Sequence, residues 1–141
     1  MTTIRLGEAN SIIASAFKTA TELGLNPLCV AVLDRGGHMI ALQRQDEASN
    51  LRPQIAIAKA SGALGLGISS RKIADMAADR PTFLASLTTL SPHGIVPAAG
   101  GVIVMRDGEI VGAVGVTGDT SDNDETCALA GIAAAGLLVI A

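Results

Sequence analysis

The chain has no tryptophan, no tyrosine and only two phenylalanines, Phe17 and Phe83. Single-stranded nucleic acid is held largely by stacking on aromatic rings, so this shortage argues against that partner. Its ten lysines and arginines form no cluster; against thirteen acids they leave a formal charge of −3, with no basic row to neutralise phosphates. Only two cysteines occur, Cys29 in an apolar run and Cys127 in an alanine-rich one, and their spacing matches no zinc pattern. Both read as small buried hydrophobes, and no metal site is expected. A dinucleotide fingerprint is missing as well, so neither flavin nor nicotinamide is expected. No Ser-His-Asp order, paired carboxylates or Cys-His arrangement supports naming a nucleophile.

Long apolar runs are also lacking. The uncharged tract from residue 126 to the end is short and rich in alanine and glycine, whereas a membrane span takes about 20 apolar residues. No membrane partner is expected; a buried helix that is partly a contact between copies is the reading instead. The opening MTTIRLGEAN has no basic segment followed by an apolar stretch, which makes the cytoplasm the expected compartment.

What the chain does have is apolar content, 49% of its 141 residues, against 16% charged. That balance folds, and the length suits one domain over residues 1–141. With 16 glycines and abundant alanine, the core must be built from small, closely approached aliphatic side chains. Ala9, Ile12, Ile13, Ala16, Phe17, Ala20 and Leu23 recur at helical spacing, with Glu8 in the first turn and Gly24 ending the helix. LCVAVLD (28–34) and HMIALQR (38–44), joined by Arg35-Gly36-Gly37, form a hairpin. Apolar residues on both parities of the first strand place it centrally, covered on both faces. A second hairpin joins VIVMR (102–106) to EIVGAVGVT (109–117) through Asp107-Gly108. Within it, Gly112 and Gly115 imply a bulge or the close approach of another backbone or a ligand. Helices are expected from Pro53, from Ser70 and after Pro81, and the initial TIRL is a candidate fifth strand. These elements on their own reach the α+β class.

Four segments, VAVLDRGGHMIAL, the IAIAKA helix, VPAAGGVIV and GEIVGAVGVTGDTSDNDETCALAG, together resemble the GlcG/HbpS-type family. The same family occurs as the C-terminal domain of PduO-type adenosyltransferases, and the resemblance runs from residue 4 to about 137. It implies a profilin-like fold, a five-stranded antiparallel sheet flanked by helices, and homo-oligomers. Some members bind haem; others accompany genes for catabolism of glycolate, diols or aromatic compounds.

Six residues are candidates for binding a small molecule. His38 and His93, the two histidines of the chain, offer imidazole to an iron or a proton. Arg52 and Lys59 share one helical face and suit a carboxylate or a haem propionate. Gly100 and Gly101 let the backbone come close to a ligand and present N–H donors. Asp119, Asp122, Asp124 and Glu125 fit no calcium loop; they read as helix capping, with Asp122 at the N-cap and Glu125 three residues on. The first expectation is therefore a small-ligand protein, with haem or a related tetrapyrrole as the leading ligand. The alternative is a cofactor-independent isomerase, hydratase or deaminase acting on a small carboxylate or aromatic-derived metabolite in a catabolic pathway.

Overall fold

The computed structural model describes residues 3–140. Helix α1 (Leu6–Glu22) begins where the Glu8 carboxylate accepts the Arg5 backbone N–H at 2.9 Å. It ends as Gly24 turns left-handed at φ 66°, a conformation glycine adopts without steric cost. Its stripe of Ala9, Ile12, Ile13, Ala16 and Ala20 is buried, as the periodicity requires.

Strands β1 (Cys29–Asp34) and β2 (Met39–Arg44) form the first hairpin. Helices α2 (Arg52–Leu66), α3 (Ser70–Asp79) and α4 (Pro81–Leu87) carry the chain across to β3 (Gly101–Arg106) and β4 (Glu109–Thr117). Asp107 and Gly108, both at positive φ (50° and 78°), make the tight turn that matches the twist of this hairpin. Helix α5 (Ser121–Ala134) and the short β5 (Leu138–Val139) complete the chain.

Among the described residues the strands form one antiparallel five-stranded sheet in the order β2-β1-β4-β3-β5. β1 is internal and buried through its first five residues, so its apolar side chains face helices on both sides. Val30, Val32, Val102, Val104, Val114 and Val116 pack against α1 and α5. On the opposite face, Cys29, Ala31, Leu33 and Ala113 meet α2 through Ala56 and Ala60.

That second interface is drawn in by missing side chains. A Cβ on Gly115 would collide with the Ala56 carbonyl of α2, and one on Gly101 with the Lys59 carbonyl. The close backbone approach expected at Gly115 is thus made by α2. Near Gly112 the expected irregularity is present too: the pairing shifts register between Val104 and Met105.

Two expectations are corrected. TIRL is not the fifth strand: Ile4 donates once, to the Val111 carbonyl at 3.0 Å beside the register shift, and α1 already starts at Leu6. The fifth strand comes from the other end. The last helix does not run through the uncharged tract, because the chain turns at Gly136 (φ 75°) and returns as β5, pairing Leu138 with Met105 and Val139 with Val104. Cys29 and Cys127 are free and buried, and burial pushes both thiols up to about 11.

Candidate functional site

The six candidate residues fall into separate places. Arg52, Lys59, Gly100 and Gly101 gather where β4 ends and α2 crosses it. Only 3% of Lys59 is exposed, and its Nζ donates to the Val116 carbonyl at 2.9 Å and to Asp124 Oδ2 at 3.1 Å. Asp124, itself 1% exposed, also accepts the Asp119 backbone N–H at 2.9 Å. Arg52 Nη1 donates to Thr117 Oγ1 at 2.7 Å, and the Gly101 N–H to Ser70 Oγ at 2.6 Å. Val116 N–H donates to the Gly100 carbonyl at 2.9 Å.

Burial, opposed by the Asp124 charge, pulls the Lys59 ammonium below the usual lysine range. Burial, opposed by Lys59, pushes the Asp124 carboxyl up. Both directions say that taking the pair out of water is costly, while the hydrogen bonds around it satisfy each charge.

This arrangement corrects the capping expectation. The N-cap of α5 is Thr120, whose side chain accepts the Asn123 N–H at 3.2 Å. Asp122 and Glu125 instead grip Arg71 from α3, with Nη2 to Asp122 Oδ1 at 2.5 Å and Nε to Glu125 Oε1 at 3.0 Å. Asp124 turns inward because a lysine inside an apolar layer needs a counter-charge. That requirement was the available signal for Asp124, while nothing in the sequence marked Ser70.

The remaining candidates lie at the far end of α2. A cleft of about 410 Å³ opens between the β1–β2 turn (35–37), the second half of α2 (61–66) and the segment 87–95. Leu64, Leu66, Leu87, Leu90 and Ile95 supply apolar wall, and Ser61, Gly62 and Gly65 keep the helix face low. His93 lines this cleft, as does Arg35 of the β1–β2 turn, which is not among the six candidates. His38 does not line it. Its side chain is 83% exposed, with Nδ1 3.3 Å from Asp34 Oδ1, and its ring lies alongside Gly36.

An antiparallel sheet between helical layers, with an apolar cleft carrying one imidazole and one guanidinium, defines a profilin-like α+β domain with room for a small ligand. The chain belongs to the HbpS-like family, described as "Haem degrading protein HbpS-like", which it matches over residues 4–133. It is 34% identical to protein GlcG of Escherichia coli K12 over 112 residues, 77% of each chain. A crystal structure of an HbpS double mutant from Streptomyces reticuli matches with a TM-score of 0.80 and 30% identity, covering 93% of this chain and 86% of that one. A PduOC:haem complex superposes with a TM-score of 0.87 over 99% of both chains; at 21% identity it speaks for the fold.

Among the described residues, no three His, Cys, Asp or Glu side chains group to hold a metal ion. No helix among them is long and apolar enough to cross a membrane.

Proposed function

We propose that the protein binds haem or a closely related tetrapyrrole in the cleft between the β1–β2 turn, α2 and segment 87–95. The carrying observation is the pairing of an aliphatic wall with the His93 imidazole in one concavity of about 410 Å³, within the size range of small-molecule sites. Membership of a family described by haem degradation favours the same ligand.

The donor set fits the group. His93 would ligate iron, the leucines and Ile95 would take the macrocycle edge, and Ser61 and Ser91 offer hydroxyls at the wall. Bound haem supplies a redox-active iron; the protein supplies its ligand, its orientation and a shield from water on the helix side. Carboxylate chemistry at Arg52 and Lys59 has less support, because both side chains donate to groups within the fold.

Self-association is part of the proposal. Large apolar side chains remain exposed, Leu138 at 68% and Leu51 at 61% among them, on a chain with only 16% charged residues.

Haemin titration followed in the Soret band tests the ligand. Saturable binding is expected, weakened about tenfold or more in His93→Ala and unchanged in His38→Ala. Absence of saturable binding to the intact protein would end the haem reading.

A further inference from the structure

The cleft is electrostatically one-sided. Arg35 is the one residue of its lining with a fixed charge, and no carboxylate is among the lining residues. Arg35 is held in place by its turn rather than by a strong partner. Asp34 Oδ1 accepts the N–H of both Gly36 and His38 at 2.9 Å, Asp34 N–H donates to the His38 carbonyl at 2.8 Å, and Gly37 is left-handed at φ 85°. These bonds fix the backbone that carries Arg35 at the cleft.

Among the described residues its guanidinium forms one ion pair, with Glu109 on β4, at 3.8 Å with both side chains more than half exposed. An ion pair that long and wet contributes little and exchanges readily. Arg35 lines the cleft, while Glu109 does not. Released from that weak pair, a long exposed side chain on a fixed turn can swing its planar donor fork over the aliphatic wall, and carboxylate is the group the fork matches in bidentate fashion.

We propose that Arg35 is the specificity residue of this cleft, selecting ligands that join a broad apolar body to a carboxylate, and that Glu109 is its resting partner, displaced when the ligand carboxylate arrives. This inference rests on the cleft being the tetrapyrrole site, and adds which end of the ligand is recognised and by what. It predicts discrimination between two molecules with the same ring, one with free propionates and one with those groups esterified.

The experiment titrates the intact protein with iron-free protoporphyrin IX and with its dimethyl ester, following fluorescence, so that His93 coordination to iron plays no part. The free acid is expected to bind at least about tenfold tighter than the diester, a difference of about 1.4 kcal/mol. Arg35→Met should erase that difference by weakening the acid alone. Glu109→Gln, which removes the resting partner, should tighten the acid by about twofold or more and leave the diester unchanged. Both substitutions lie at exposed positions, and circular dichroism checks that the fold is kept. Equal affinity for acid and diester, or an Arg35→Met loss shared equally by both, overturns the role of Arg35 while leaving the cleft as the site. If neither porphyrin nor haemin binds the unaltered protein, the cleft reading itself fails and this inference with it.

Discussion

Lys59 Nζ stands 3.1 Å from Asp124 Oδ2, and through that contact α2, on one face of the sheet, is tied to α5 on the other around the end of β4. The two side chains are 3% and 2% exposed, so water does little to screen them. Such a pair contributes modestly as a unit, since desolvation offsets most of the attraction, but breaking it strands a buried charge.

The single substitutions Lys59→Met and Asp124→Leu should each destabilise the fold by about 3 to 5 kcal/mol. The double variant should recover much of that loss. Urea unfolding of all four forms measures the coupling; strictly additive losses would show that the two residues act independently.

Gly115→Ala should cost about 2 kcal/mol or more, because its Cβ would run into the Ala56 carbonyl, a backbone atom that cannot swing away. Gly7→Ala in the first turn of α1 meets nothing within 4 Å and should be neutral or stabilising by up to about 1 kcal/mol. Thermal melts of both variants separate close approach from chain entropy.

Acid should weaken the anchor of α1. Burial tends to raise the Glu8 pKa, but the Arg5 N–H bond and Arg106 outweigh it and hold the carboxyl below its ordinary 4.5. A folded value below the unfolded one gives stability that is complete above about pH 4.5 and is lost as pH falls through the folded value. The melting temperature of the unaltered protein should exceed that of Glu8→Gln by a constant amount from pH 7 to about 5. The gap should close toward pH 3. A gap independent of pH would show that the carboxylate charge plays no part.

Local chemistry explains why much of the fold was legible in advance. Asp107-Gly108 can serve few purposes other than a tight hairpin turn, and the Ala9 to Ala20 spacing has one amphipathic reading. TIRL and the final LLVI are both short segments with strand-forming residues, and only pairing with Val104 and Met105 decides which becomes a strand. Lys59 and Asp124 are 65 positions apart, so their union depends on the sheet between them. The cleft is harder still to foresee. It joins a turn, a helix face and a loop, and Arg35 gains its meaning only from the absence of any carboxylate among the residues that line it.

In solution the protein should scatter light as a dimer or larger assembly at micromolar concentration. Leu138 on the β5 edge, Met39 on the β2 edge and Leu51 ahead of α2 all stay exposed on a lightly charged chain, and a contact between copies at either sheet edge would cover one of them. A single species of 14.2 kDa would refute self-association.

The location of the ligand can be tested without touching any proposed ligating or charged group. Gly65 lies on the α2 face that lines the cleft, and a Cβ there meets nothing within 4 Å. Its φ is not positive, so a larger residue fits the helix without strain and should favour it by about 0.5 to 1 kcal/mol. Gly65→Leu should therefore melt no lower than the parent while its side chain occupies part of the 410 Å³. Haemin affinity should fall by about tenfold or more, because the macrocycle and the new side chain compete for the same wall. The pair between Lys59 of α2 and Asp124 of α5 lies outside the cleft lining and should be undisturbed, which unfolding in urea can verify. Unchanged haemin affinity in a stable Gly65→Leu protein would mean that haem sits outside this cleft, and the search would then move to the exposed face beside His38.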